Sequence, residues 1–434
     1  MRVMPPSPTR LLALYGKRPV QLALVTGLVV YIIQRISRFN PSNIWPLKPR
    51  LDAEVIFTQS VRVWNDGYYS FEQFHTIALP FLFPYPPSAI FFFRSLAEMG
   101  PAVFALVWLV SAALGLIVML RMSLAGDKLD FPYVWIGIGL VALLIADSPI
   151  MWDLHHENSN LLYIALVLAA FGLMSRYAVT AGILLGLSVS LKIFSGLIFV
   201  WLLFFGPRRT LVSGTVTLLM LWVALPLLVF GVDGSISLYH GWLDQLRVAA
   251  NKFEFIPNAG PQNAVWIFDV QTTAMVLTGS GPFDDVTQYV AWALRSIWVA
   301  LLLFYVSAMV RAPAPVAPSR AVLADWTMLM LAPLPLSPWL ELYHPVADLT
   351  GAVLLIATAL DDDAPSRDRL VALIASTTLL LDLVLNPFPA TLRGLGLLMR
   401  MAVIVISLSL LRRSMPNKPW PKPSPAPQPF FATA

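Results

Sequence analysis

The sequence contains about twelve separate apolar runs, and this feature constrains the fold more than any other. A helix needs roughly 20 predominantly apolar residues to cross the hydrocarbon core of a bilayer. Only 12% of the residues are charged, about half the fraction of a typical soluble domain. We therefore expect an all-α polytopic membrane protein. The runs lie near 20–33, 102–120, 133–150, 160–174, 177–190, 193–206, 211–231, 288–310, 321–336, 346–360, 369–386 and 391–411.

The positions of the basic residues predict the direction of insertion. Arg2, Arg10, Lys17 and Arg18 precede the first apolar run, and no small-x-small cleavage site follows it. Positive charge before a first span keeps that end of the chain in the cytoplasm. We therefore expect a cytoplasmic basic N-terminus over residues 1–18 and an uncleaved first span.

Alternation of the spans from that start places basic residues on the inner loops throughout, as the positive-inside rule requires. It predicts one transmembrane domain over residues 19–415, with two long outer loops at about 36–86 and 232–287 that contain interfacial helices. The proline-rich residues 416–434 are expected to form a disordered cytoplasmic tail.

Composition excludes several kinds of function. The chain has 29 Lys and Arg against 24 Asp and Glu, and a net charge of +5 is too modest to indicate a nucleic-acid partner. The absence of cysteine excludes disulfides, thiolate metal sites and a cysteine nucleophile. All five histidines, together with many carboxylates, lie on the predicted outer side, so the chemistry is expected to be extracytoplasmic.

Asp52 begins a segment whose apolar residues recur at helical spacing up to Gly67. The segment predicts a helix with the carboxylate near its N-terminus, where the macrodipole stabilises an anion. A helix cap explains an aspartate at this position. A general base that faces a cavity is the alternative explanation.

Lys192 stands alone between two short apolar segments. A lysine at membrane depth costs several kcal/mol unless it reaches water or an anion. The short segments on either side predict a tilted, broken or re-entrant pair of helices. A snorkelling side chain and a cation that holds a lipid phosphate both remain open, and Arg393 and Arg400 near the last span could join the phosphate site.

Three further segments carry polar or rigid groups. Phe83–Pro87 reads FPYPP, an extended element that suits the start of a helix. His155–Asn160 reads HHENSN, whose adjacent histidines do not match the i, i+4 spacing of a zinc site, so we expect no metal there. Ser337–His344 reads SPWLELYH and puts Glu341 and His344 three residues apart, within reach of each other on a helix.

The order of these elements resembles a known family. An aspartate in the first outer loop is followed by YPP, by N-x-N-L-L, by A-G-x-x-L-G with a lysine six residues further, and by S-P with a histidine. This order is similar to that of the polyprenyl-phosphate-mannose-dependent mannosyltransferases of glycosyltransferase family 87, which have a GT-C fold. The resemblance covers most of the chain.

The resemblance implies roles for individual residues. Asp52 corresponds to the general base, and Lys192 belongs to the A-G…G…K block together with Ala181, Gly182 and Gly186. Lys192 is expected to bind the donor phosphate, with Arg393 and Arg400. The expected substrate-binding residues are Tyr85, His156, Asn158, Asn160, Gln262, Asn263, Glu341 and His344. The chain departs from the family pattern where Asn158 replaces a Gln, where Leu340, Glu341 and Tyr343 replace Ser, Trp and His, and around Gln262-Asn263-Ala264.

The implied activity is transfer of a hexose, with mannose expected, from a polyprenyl-phosphate donor to a glycan or glycolipid hydroxyl. The transfer would invert the anomeric centre, need no cofactor, and take place on the outer side of a bacterial inner (plasma) membrane. A transporter or flippase is the alternative, because charges inside a membrane also line transport pathways. A GT-C enzyme that uses a lipid diphosphate and a metal ion is a second alternative.

Overall fold

The computed structural model describes residues 51–66, 85–103, 106–107, 110, 159–250, 270–312, 319–337, 347–360, 364–385 and 393–415. Within these ranges the chain is helical and contains no strand. The predicted first span, the predicted span at 133–150 and the C-terminal tail lie outside the described residues. The all-α prediction is confirmed for the part that is described.

The helices follow the predicted apolar runs closely. The first is α1, Leu51–Asp66, which confirms the helix predicted from Asp52 toward Gly67. The others are α2 Pro87–Glu98, α3 Asn160–Leu173, α4 Ala178–Leu191, α5 Leu197–Phe205, α6 Arg208–Leu219, α7 Leu225–Ala250, α8 Val270–Thr278, α9 Asp285–Val310, α10 Arg320–Leu331, α11 Asp348–Leu360, α12 Ser366–Leu385 and α13 Arg393–Leu411.

Three helical stretches in the described residues are long and apolar enough to cross a bilayer: Arg208–Arg247, Asp285–Val310 and Gly394–Leu411. Shorter apolar helices cover Asn160–Leu173, Ala178–Leu191 and Ile193–Phe205. These lengths agree with a helical membrane protein. The number of about twelve spans stays a prediction.

Two irregular segments divide the longest stretch. A π-helical turn at Met220–Ala224 separates α6 from α7, and Gly231 interrupts α7 with a φ of 70° and a ψ of −174°. A positive φ is easily reached only by glycine, so the kink falls where the sequence provides one. Helix continues beyond it to Ala250, inside the region that we predicted to be an outer loop with interfacial helices.

Helices α4 and α6 approach each other through glycine. A Cβ atom at Gly186 would lie 2.7 Å from Thr217 Cβ, and one at Gly214 would lie 3.0 Å from the Gly182 carbonyl oxygen. A Cβ at Gly182 would collide with the Thr210 carbonyl and would lie 2.7 Å from the Gly214 amide nitrogen. Small residues four apart allow two membrane helices to pack backbone to backbone. The A-G…G block therefore fixes α4 against α6, and with it the position of the lysine that follows α4.

The core is built around α10, which is buried along nearly its whole length. Trp326 is fully buried and packs edge-on against Phe171 of α3 and Trp201 of α5. These aromatic contacts join α3, and α5 that follows the break at Lys192, to the centre of the molecule.

Candidate functional site

Three chain segments that are distant in sequence meet beside Lys192. They are the segment that leads into α2, the N-terminus of α3, and the point where α4 ends. The Lys192 ammonium lies over the Tyr85 ring, with Nζ 4.9 Å from the ring centroid. The Ser159 hydroxyl donates a hydrogen bond of 3.2 Å to the Tyr85 hydroxyl, and Asn160 follows as the first residue of α3. Tyr85, Asn160 and Lys192, which the sequence singled out separately, are therefore brought to one place.

Lys192 occupies a break between helices. Its backbone is extended, with φ −142° and ψ 117°, between the end of α4 and a short 3₁₀ turn at Ile193–Gly196. The predicted broken pair of helices around this residue is confirmed. The side chain is only 9% exposed. It is stabilised there by the face of an aromatic ring and by the negative end of the α4 macrodipole.

Tyr85 is held rigidly under the ammonium. It is 4% exposed, and its ring packs edge-on against Phe93 of α2 with centroids 5.0 Å apart. The predicted entry to a helix is confirmed, because Pro87 is the first residue of α2 and Pro86 precedes it in an extended conformation. The proline pair, the Phe93 contact and the Ser159 hydrogen bond thus set the orientation of the ring on which Lys192 lies. The arrangement presents one buried cation on a rigid aromatic wall, which is suited to binding an anion.

A family model matches the region of the chain that contains this site. The model of glycosyltransferase family 87 matches residues 83–338, more than half of the chain. The chain belongs to glycosyltransferase family 87. Searches of curated proteins and of solved structures returned no significant match. The protein is therefore a membrane glycosyltransferase, which uses a sugar donor and an acceptor.

The match with family 87 covers part of the predicted site. Tyr85, Asn160 and Lys192 lie inside the matched residues, and Asp52 and Arg400 lie outside them. The three residues that the structure brings together therefore belong to the region on which family membership rests.

Asp52 is placed only through its backbone. It is the second residue of α1 as the structure describes that helix, and its side chain lies outside the described atoms. Helix α1 packs on α2, and Trp64 near its other end contacts Phe91 and Arg94. Asp52 is about 18 Å from Trp64 along the helix, at 1.5 Å per residue. Its role as a base stays a prediction.

The two arginines predicted to assist Lys192 lie on α13. Arg400 is buried, and its Nε atom donates to an Asp348 carboxylate oxygen at 2.6 Å. This ion pair joins α13 to α11. Arg393 is the first residue of α13, and its side chain is not described. The remaining predicted site residues, which lie outside the described residues, are His156, Asn158, Gln262, Asn263, Glu341 and His344.

A second buried charge cluster was not expected from the sequence. Asp325 of α10 accepts hydrogen bonds from Arg412 at 2.8 and 3.0 Å, from the Tyr305 hydroxyl at 2.6 Å and from Trp201 Nε1 at 3.3 Å. Asp325 is fully buried and Arg412 is 1% exposed. The sequence signal was a single carboxylate inside an apolar run. The positive-inside rule places basic residues on inner loops and gives no sign of a buried partner for Arg412.

Among the residues that the structure describes, no group of three or more His, Cys, Asp or Glu side chains could hold a metal ion. The described groups at this site include an ammonium, hydroxyls and an aromatic ring. These groups suit an anionic or sugar ligand better than a divalent cation.

Proposed function

We propose that this glycosyltransferase moves a hexose, with mannose as the proposed sugar, from a polyprenyl-monophosphate donor to a hydroxyl acceptor on the extracytoplasmic side of the membrane. The observation that carries the proposal is the buried Lys192 ammonium, held against Tyr85 at a helix break in the region matched by family 87. The transporter alternative has no comparable support, because the family match indicates group transfer.

Lys192 would act on the phosphate of the donor. When the bond between the anomeric carbon and the phosphate oxygen breaks, negative charge develops on the departing polyprenyl phosphate. A preorganised cation in a site that excludes water stabilises such charge far more than the same cation in solution. A divalent ion is then not needed for the departure of a monophosphate, and Arg393 and Arg400 are proposed as further phosphate ligands.

The chain that follows Lys192 suits the lipid part of the donor. Ile193, Leu197, Val200 and Phe204 recur at helical spacing, and each exposes between 37% and 70% of its surface. In a membrane, an exposed apolar stripe faces lipid chains. A polyprenyl chain that lies along this stripe would end near Lys192, where its phosphate is required.

Asp52 would serve the acceptor. Its carboxylate would take the proton of the acceptor hydroxyl as the hydroxyl oxygen bonds to the anomeric carbon, while the carbon–phosphate oxygen bond breaks on the opposite face. The products are an inverted glycoside and a free polyprenyl phosphate. General-base assistance of this kind is worth about 10² to 10⁴ in rate. The sugar and the acceptor would be held by Tyr85, Asn160 and the predicted residues His156, Asn158, Gln262, Asn263, Glu341 and His344.

The test is transfer of radiolabelled mannose from polyprenyl-phosphate mannose by the detergent-purified protein, with a membrane glycolipid extract as acceptor and with EDTA present. Transfer in detergent distinguishes an enzyme from a transporter, because transport requires two compartments. Asp52→Asn should reduce turnover about 10²-fold or more, whereas Asp66→Asn, at the exposed end of the same helix, should leave it unchanged. Normal turnover by Asp52→Asn would remove Asp52 from the mechanism, and loss of transfer with EDTA would favour a metal-dependent enzyme.

A further inference from the structure

Helix α9 carries an arginine although it is long and apolar enough to cross the membrane. The Arg295 Nη2 atom donates a hydrogen bond of 3.4 Å to Gln271 Oε1, and the guanidinium carbon lies 5.8 Å from the centroid of the Trp292 ring. Both partners are uncharged. An arginine in a membrane helix is unfavourable unless its charge reaches water or an anion.

Arg295 is held on a rigid pair of helices. Gln271 of α8 donates from Nε2 to the Pro282 carbonyl at 2.8 Å, so its Oε1 atom is the one that faces Arg295. Gln288 of α9 donates to the same carbonyl at 2.6 Å. A guanidinium has five N–H donors, and one amide oxygen accepts only part of them. Because Arg295 is only half-buried, its other donors remain accessible to a ligand.

The position of Arg295 along α9 brings its charge close to the level of the lipid headgroups. If Val310, the last residue before Arg311, marks one boundary of a hydrocarbon core about 30 Å thick, the other boundary lies roughly 20 residues earlier, near Val290. Arg295 is then about 7 Å inside that boundary, within reach of a long basic side chain. Side chains on a helix point toward its N-terminus, and the contact with Trp292, one turn earlier, has this direction.

An exposed face of α9 extends on both sides of Arg295. Tyr289 and Trp292 expose 74% and 63% of their surface. Tyrosine and tryptophan are enriched where the membrane meets water. Beyond Arg295, exposed aliphatic residues recur every three or four positions, at Val299, Leu303, Val306 and Val310. This aliphatic part is about 17 Å long, close to the thickness of one leaflet of hydrocarbon.

We propose that Arg295 binds the phosphate of an anionic phospholipid, such as phosphatidylglycerol, whose acyl chain lies along Val299–Val310. A guanidinium binds phosphate oxygens through charge-assisted hydrogen bonds, which are the strongest type available here. Asp284 and Asp285, at the start of α9, are about 15 Å away along the axis, beyond the distance over which exposed charges act strongly in salt. The site is separate from the proposed donor site, and no step of sugar transfer depends on it.

The experiment measures binding of phosphatidylglycerol to the full-length, detergent-purified protein by native mass spectrometry, which resolves each bound lipid. The variants are Arg295→Gln, which removes the charge, and Arg295→Lys, which keeps it. Arg247→Gln is the control, because Arg247 is exposed and already paired with Asp244. We expect Arg295→Gln to weaken binding of the first lipid about fivefold, the effect of one basic residue near a membrane surface. Arg295→Lys should keep most of the affinity, and Arg247→Gln should keep all of it.

Two further lipid-binding measurements identify the ligand. Phosphatidylethanolamine with the same acyl chains should bind the wild type more weakly than phosphatidylglycerol, because its ammonium is repelled by Arg295. Inorganic phosphate at millimolar concentration should not displace the phospholipid, since it lacks the acyl chain. Equal binding of the two lipids would contradict an anionic ligand, and displacement by phosphate would instead assign the site to the free ion.

Unchanged binding of phosphatidylglycerol to Arg295→Gln, or equal losses for Arg295→Gln and Arg295→Lys, would overturn the proposal. Trp292→Ala guards against misfolding of the arginine variants, because it removes only an exposed ring. It should weaken binding about two- to fivefold, as for an exposed cation–π contact, and unchanged binding would count against the site. Loss of phosphatidylglycerol binding in Lys192→Ala would place the lipid at the donor site instead. None of these results tests sugar transfer.

Discussion

Substitution of Gly182 by alanine should disturb both the fold and the donor site. The added Cβ would collide with the Thr210 carbonyl and with the Ser213 hydroxyl, and would lie 2.7 Å from the Gly214 amide nitrogen. Two of these three atoms belong to the α6 backbone, so rotation of a side chain cannot relieve the contact. Helices α4 and α6 must separate, and overpacking of this kind costs about 1 to 3 kcal/mol. The gain from replacing glycine by alanine within a helix is only about 0.5 to 1 kcal/mol.

The assay compares unfolding of Gly182→Ala and Gly196→Ala by SDS titration in mixed micelles. Gly196 has helical backbone angles, and a Cβ there would meet only Val189 Cγ1, at 3.8 Å. We expect Gly182→Ala to unfold at lower SDS and Gly196→Ala to match the wild type.

Removal of the Ser213 hydroxyl offers a further check on the Gly182 reasoning. In Gly182→Ala/Ser213→Ala the clash with the Thr210 carbonyl remains, so stability should recover only slightly. Wild-type stability of Gly182→Ala, or full recovery in the double variant, would refute the claim that the α4 and α6 backbones are in close contact.

Two other predictions concern the buried charges. Asp325→Ala leaves the Arg412 guanidinium buried without its carboxylate and should lower the free energy of unfolding by about 3 to 5 kcal/mol. The control Asp244→Ala removes a carboxylate from an exposed ion pair and should lower it by less than about 1 kcal/mol. Equal unfolding transitions for the two variants would contradict the prediction. Tyr85→Leu removes the ring beneath Lys192 and should weaken binding of undecaprenyl phosphate about two- to thirtyfold, the range of a cation–π contact. Tyr85→Phe keeps the ring and should lose much less affinity. Equal losses of affinity in titrations of the two variants would assign the effect to the hydroxyl.

Much of the local structure could be predicted from the sequence. The helix over 160–173 and those on either side of Lys192 follow apolar runs that end at charged, glycine or proline residues. The break at Lys192 was predictable because a lysine between two short apolar segments is unfavourable within one continuous membrane helix. The start of α2 was predictable from its proline pair.

The contacts between distant segments could not be predicted in this way. Tyr85 and Lys192 are far apart in sequence, and only the resemblance to family 87 placed them in one site. The Asp325–Arg412 pair was missed because the positive-inside rule counts charges on loops and does not detect a partner inside the bundle. The hydrogen bond between Ser188 and Ser195 was not predicted, because serines are common in membrane helices, and only the structure distinguishes a serine that donates across a break from one that donates within its own helix.

The most direct test of the account is a cryo-EM structure of the full-length protein with a bound polyprenyl monophosphate. We predict a phosphate oxygen within about 4 Å of Lys192 Nζ, the usual limit of an ion pair, with the ammonium still lying on the Tyr85 ring. A phosphate held by other cations, with Lys192 contacting none of its oxygens, would contradict the central claim.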